Sequence, residues 1–145
     1  MLASTFFFAL SKISSRKADT TIVWSKRLLR RAEVIYGPLN ARLLPQPIRV
    51  ERFHPISAKE ARHRLSLPED KLILLFVGRL APQKRMDTLL RALASLDRRA
   101  PSRLLVVIVG SGPDMGRLVS LSKSLSLEGI VRFEGEVPEA ELPYY

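Results

Sequence analysis

The sequence predicts an α/β fold, a parallel sheet with flanking helices. Three observations predict it. Leu72–Val77, Leu104–Val109 and Ile130–Phe133 are short, mostly apolar runs, as expected of strands buried on both faces of a parallel sheet. Between them, apolar residues recur at helical spacing, first Met86, Leu89, Leu90, Leu93 and Leu96, then Leu118, Leu121 and Leu125. Each run ends in a glycine-bearing turn, at Gly78, at Gly110–Pro113 and at Gly135. Strand and helix alternating at this spacing imply βαβ units with right-handed crossovers.

Residues 1–17 read as a helix that buries Phe6, Phe7 and Leu10 and carries Lys12, Arg16 and Lys17 toward its end. The apolar run from Met1 to Leu10 is too short to span a bilayer. It also lacks the early positive charge and the cleavage site of a signal peptide. Asp19 to Trp24 contains Thr-Thr-Ile-Val-Trp, β-branched and aromatic, and predicts a strand. Ser25 is placed to cap a helix running to Tyr36, closed by Gly37-Pro38. Ala41–Leu44 predicts another short strand, ended by Pro45-Gln46-Pro47, where no regular element can continue.

Val50 to Ser57 reads as an irregular linker anchored by Phe53. Ser57 then caps a helix over 58–65, with Glu60 completing a capping box. Leu67 to Asp70 is a turn. The strand over 72–77 leads to a helix over 84–97 that ends before Pro101. The strand over 104–109 leads to the helix of Leu118, Leu121 and Leu125. The strand over 130–133 precedes a new helix start at Pro138-Glu139.

Composition sets limits. The 145 residues suffice for one modest core. There is no cysteine, which excludes disulfides and thiolate metal ligands and suits the cytoplasm. His54 and His63 stand nine apart with no ligand pattern around them, so no metal site is expected. The formal charge of +10 is uneven. Residues 1–64 hold 13 Lys/Arg against 4 Asp/Glu, and residues 65–145 hold 11 against 10. Lys26, Arg27, Arg30 and Arg31 form the densest cluster. Such a cluster is either a solvated helix face or a contact for an anionic partner. Aromatic residues for base stacking are sparse and no nucleic-acid module motif is present. An anionic membrane surface is therefore the expected partner, at the cytoplasmic face, and nucleic acid is not.

The loop after residue 77 is the most telling for chemistry. Gly78, Arg79, Pro82 and Lys84 lie between a strand and a helix start, where free N–H groups favour anions. Arg79 offers a planar fork to phosphate oxygens and Lys84 a point charge, a pair suited to a diphosphate. Residue types alone leave open two solvent-facing cations. Gly110-Ser-Gly-Pro-Asp-Met-Gly116 imitates a dinucleotide fingerprint, but Met115 stands where the third glycine belongs and Pro113 removes an amide. Ligands of such sheets bind beyond the carboxyl ends of the strands. Three loops meet there, at Gly78-Arg79, Gly110–Pro113 and Glu134–Val137.

Phe76-Val-Gly-Arg-Leu-Ala-Pro-Gln-Lys84, Val109–Pro113 and Val131-Arg-Phe-Glu-Gly-Glu-Val-Pro138 with Glu141-Leu-Pro143 resemble glycosyltransferase family 4. Upstream, Ala18–Ser25 resembles the last strand of that family's acceptor-side domain, and Leu44–Phe53 its interdomain linker. Order and spacing agree from about residue 18 onward. The resemblance implies a partial GT-B fold with a Rossmann-like sheet, truncated at the C-terminus. Residues 1–50 would be the remnant of the acceptor-side domain plus linker, and 51–145 the first half of the donor domain.

The implied activity is transfer of a sugar from a nucleotide-diphosphate-sugar to a glycan, lipid or small-molecule acceptor. Configuration would be retained, with neither metal nor cofactor. Arg79 and Lys84 would hold the donor diphosphate, offsetting charge that develops on the leaving group. Gly78, Gly110, Gly112, Gly135, Glu136 and Val137 would line the donor cleft.

Two departures stand out. Arg85 occupies a position where the family commonly has glycine, and Gln46-Pro47 replaces a common Asn-Gly. The family's acidic motif falls beyond residue 145, so no catalytic residue is assigned and this chain alone is expected to be inactive. The competing expectations are a non-catalytic phosphate- or nucleotide-binding α/β module and, after it, an NAD(P)-dependent dehydrogenase fragment.

Overall fold

The computed structural model describes residues 11–15, 17–96 and 103–145. The expected burial of Phe6, Phe7 and Leu10, the place of Arg16 and the helix end before Pro101 lie outside them. Two compact units divide the chain, Met1–Arg49 and Val50–Tyr145.

In the first unit, residues 11–15 are helical. Strand β1 (Thr21–Val23), helix α1 (Lys26–Tyr36) and strand β2 (Ala41–Leu43) follow. β1 and β2 pair in parallel, with Thr21 opposite Ala41 and Val23 opposite Leu43, so α1 is the crossover of a small βαβ unit. Ser25 caps α1 as its sequence predicts, its Oγ accepting from the Leu28 N–H at 3.1 Å. Gly37 ends the helix at φ 86°, donating its N–H to the Glu33 carbonyl. The four cations of α1 are all exposed. Trp24 is also exposed, at 62%.

The second unit begins with α2 (Ala58–Arg64), capped by Ser57 through a 3.2 Å bond from the Glu60 N–H. Phe53, the expected anchor, is 45% exposed and is not part of either buried apolar cluster. The Arg62 guanidinium donates to the carbonyls of Pro68, Glu69 and Lys71 and so closes the turn into the sheet. Strands β3 (Leu72–Val77), β4 (Leu104–Val109) and β5 (Val131–Gly135) form one sheet in the order β3-β4-β5. Both pairings are parallel, as the apolar runs predict. A single turn of 3-10 helix, Pro82–Lys84, precedes α3 (Met86–Ala94), and α4 (Met115–Ser124) connects β4 to β5. The turn at Pro138-Glu139 leads only to a 3-10 turn, Leu142–Tyr144, not to a helix.

β4 is the centre of the packing. Its even face, Val106 and Ile108, meets Leu90 and Leu93 of α3 and Leu118 of α4. The odd face, Leu105, Val107 and Val109, meets Leu67, Val137, Leu142 and Tyr145. Leu90 and Leu118 are fully buried, each contributing about 1.5–3 kcal/mol. Leu96, expected on the same stripe, lies past the end of α3 and is 45% exposed.

β3 departs from expectation. It was to be buried on both faces, yet Leu72 is 70% exposed and Leu74, Leu75 and Val77 are also exposed. Among the described residues β4 is its one strand neighbour. An unbroken apolar run reports what a strand can tolerate on its faces, whereas burial depends on what lies beside it. Only Ile73 and Phe76 of β3 join the two cores.

Candidate functional site

The sheet's parallel hydrogen bonding continues into the loops beyond its carboxyl ends. Gly78 N–H donates to Val109 O and Leu80 N–H to Ser111 O, both at 2.9 Å. Asp114 N–H returns a bond to Leu80 O at 3.1 Å, and Gly110 N–H reaches Gly135 O at 2.6 Å. All three loops are thus laced side by side.

That lacing explains two of the glycines. A Cβ on Gly110 would lie 2.1 Å from the Gly78 carbonyl oxygen, and one on Gly112 2.2 Å from the Leu80 carbonyl oxygen. No side chain fits where two backbones run so close. Gly135 has another reason. It sits at φ 72° where the register slips, Val109 pairing with Gly135 after Ile108 pairs with Phe133. This is a bulge at the sheet's rim, a device that re-aims the chain.

An open cavity of about 470 Å³ lies over the loops, lined by Arg79, Gly110, Ser111, Gly112 and Glu136. Its size is in the range of small-molecule sites. Of the expected residues, Arg79, Gly110, Gly112 and Glu136 are brought together on this wall. Gly78 and Gly135 support it through the bonds above. Val137 turns its side chain toward Leu105, Val107 and Val109 in the core. Lys84 is exposed at the end of the 3-10 turn and is not among the cavity's lining residues. It was expected at the start of the following helix, which instead begins two residues later, at Met86.

Arg85, the departure noted above, is the residue between. It adopts φ 52°, ψ 39°, the left-handed conformation, and joins the 3-10 turn to α3. A glycine would adopt this without strain. The guanidinium is turned along the helix, donating to Thr88 Oγ1 at 3.0 Å and lying 3.4 Å from Asp87 Oδ1. Its charge is therefore held locally and not spent on the cavity.

Two features escaped the sequence reading. Ser111 lines the cavity between the two glycines. Asp114 is buried at the start of α4 and takes a bidentate pair of bonds from Arg117, at 2.6 and 2.7 Å. The Arg117 hydrogen bonds hold the Asp114 carboxyl below the usual carboxylate range, against the opposing effect of burial, and the Arg117 charge adds to them. Their three-residue spacing on a helix was a visible signal for this pair. Among the described residues no cluster of His, Cys, Asp and Glu could hold a metal ion. No described helix is long and apolar enough to cross a membrane.

The model of the family described as glycosyl transferases group 1 matches residues 57–145, well over half of the chain. The chain belongs to this family. A D-inositol 3-phosphate glycosyltransferase of Streptosporangium roseum is 40% identical over 118 residues, covering 74% of this chain and 27% of the relative. One of Thermobispora bispora is 34% identical over 139 residues, covering 90% of this chain and 32% of the relative. The chain thus spans about a quarter to a third of the length of the curated relatives it matches.

Among solved structures, sucrose-phosphate synthase from Thermosynechococcus elongatus superposes with a TM-score of 0.84 at 26% identity, over 97% of this chain and 36% of that one. Anabaena HepE, solved with UDP and glucose, gives 0.74 at 18% over 94% of this chain and 38% of that one, a likeness of fold alone. The architecture is the expected one, part of a GT-B glycosyltransferase fold with parallel sheets and flanking helices.

Proposed function

We propose that this group 1 glycosyltransferase chain carries the donor-diphosphate site of an enzyme that transfers a sugar from a nucleotide-diphosphate-sugar. The reading rests on one observation above the others. In a chain of this family, Arg79, without an ion pair among the described residues, stands over hydrogen-bonded glycine loops at the carboxyl ends of three parallel strands. Arg79 and Lys84 are the diphosphate cations, one on each arm of the turn that leads into α3. Transfer proceeds with retained configuration, and these cations, not a metal, offset the charge of the leaving nucleoside diphosphate.

The Val50–Tyr145 unit is the first half of the donor domain, and Met1–Arg49 comes from the acceptor side. The acceptor is a glycan, a lipid or a small molecule. Relatives named for D-inositol 3-phosphate, and a neighbour named sucrose-phosphate synthase, support a phosphorylated polyol or sugar among these. The exposed cations of α1 supply a peripheral contact with an anionic membrane at its cytoplasmic face.

The test is titration of the isotope-labelled chain with uridine diphosphate, followed by amide chemical shifts, with and without a chelator. Shifts confined to the loops at 78–85, 110–114 and 134–137, unchanged by chelator, support the reading. Binding that vanishes with chelator shows that a metal carries the phosphate charge and contradicts it.

A further inference from the structure

The cavity over the loops holds two opposite charges that ignore each other. Arg79 and Glu136 both line it. Among the described residues neither makes an ion pair or a side-chain hydrogen bond, with the other or with anything else. Elsewhere in this unit acids do find partners, Asp87 in Arg85, Asp114 in Arg117, Glu134 in Arg132 and Glu139 in Arg52. Backbone geometry keeps the two apart. Arg79 leaves the end of β3, and Glu136 follows the bulge at Gly135 on β5, with β4 and its Gly110–Gly112 turn lying between them.

A carboxylate is an acceptor only. Beside a diphosphate it is repulsive, since like charges a few ångströms apart in a partly enclosed site raise the energy of both. A ligand that fills this cavity must therefore be polar in a defined sense. It presents anionic oxygens to Arg79 and neutral hydrogen-bond donors to Glu136.

We infer that Glu136 is a specificity-determining residue of the donor site, accepting hydrogen bonds from hydroxyl or N–H groups of the nucleoside part while Arg79 holds the phosphates. This deepens the proposed function and rests on it. Glu136 fixes which way round the donor lies and excludes ligands that carry negative charge at both ends. The donors can be the ribose hydroxyls or a base N–H, and both are the same chemistry to a carboxylate.

The experiment compares uridine diphosphate, 2′-deoxyuridine diphosphate and inorganic pyrophosphate on the wild-type chain and on Glu136→Ala and Glu136→Gln, by amide chemical-shift titration. Glu136 is exposed, and the Gln variant keeps its size, so matching spectra of the free proteins verify the fold. The expected result is that Glu136→Ala weakens uridine diphosphate roughly tenfold or more, the loss of a hydrogen bond to a charged group. Pyrophosphate binding is unchanged or tightened. Glu136→Gln gives a smaller loss, since an amide oxygen still accepts.

A loss seen equally with the deoxy ligand assigns the contact to the base or the 3′-hydroxyl; a loss confined to the ribose form assigns it to the 2′-hydroxyl. Equal tightening of all three ligands, or no change in their ratios, overturns the inference and leaves the donor reading intact. If the wild-type chain binds none of them, the donor reading fails and this inference fails with it.

Discussion

Replacing Gly110 by Ala tests the laced loops on which the site rests. The new Cβ would stand 2.1 Å from the Gly78 carbonyl oxygen and 2.9 Å from its carbon, both closer than the 3.0 Å below which real Cβ contacts are essentially unknown. Neither atom belongs to a flexible side chain, so backbone must move. Residue 110 also sits at φ 122°, costing a non-glycine residue about 1–3 kcal/mol. Separating the loops strains the bonds from Gly78 to Val109 and from Leu80 to Ser111, at about 0.5–1.5 kcal/mol each.

Together the loss is about 2–6 kcal/mol, its upper part in the exceptional range for one substitution. It is a large share of the roughly 5–15 kcal/mol that holds a domain folded. Urea unfolding followed by far-ultraviolet circular dichroism is the assay, because the sole tryptophan, Trp24, lies in the other unit. Gly116→Ala is the control. Its Cβ meets nothing within 4 Å and it lies in the first turn of α4, so helix propensity predicts at most a gain of about 1 kcal/mol, and no loss. A Gly110→Ala protein within about 1 kcal/mol of wild type, inside ordinary mutational scatter, would refute the close approach of the two loops.

Arg85→Gly relieves left-handed strain of about 1–2 kcal/mol at φ 52° and loses only exposed bonds to Thr88 and Asp87, set against the backbone entropy a glycine adds to the unfolded chain. Stability to urea is therefore unchanged or rises by up to about 1 kcal/mol; a clear fall would show that the Arg85 tether outweighs the strain. For Asp114, the folded carboxyl is held below its ordinary range by the Arg117 hydrogen bonds, despite burial. The Asp114–Arg117 pair therefore stabilises the fold above that range, and the stabilisation is lost as pH falls through the folded value. Asp114→Asn should thus be less stable than wild type at neutral pH, with the difference closing in acid; a pH-independent difference would contradict this. The basic face of α1 predicts sedimentation with anionic vesicles and release by high salt, whereas equal sedimentation with neutral vesicles would count against it.

Much of the sheet was legible because its signals are local. Strand identity, parallel pairing and the serine caps at Ser25 and Ser57 follow from period, β-branching and side-chain chemistry within a few residues. The edge position of β3 was not legible, because Leu72–Val77 reads the same whether one strand or two lie beside it. Gly110 and Gly112 were visible as a tight turn, but their reason, another loop's carbonyls about 2 Å from any added Cβ, is a contact across the sheet. Arg79 and Glu136 are 57 positions apart, and only β3-β4-β5 order brings them to one cavity. Arg85 could be flagged as a departure, while its left-handed backbone and local tether needed coordinates.

The central claim is that Arg79 and Lys84 hold the donor diphosphate, and uridine diphosphate titrations of wild type, Arg79→Ala and Lys84→Ala test it most directly. Both side chains are exposed, Arg79 on a loop and Lys84 at the end of a 3-10 turn, so the folds should survive. Each charge-assisted contact contributes about 1.5–3 kcal/mol. Losing either should weaken binding roughly ten- to a hundredfold. Unchanged affinity in both variants would contradict the account.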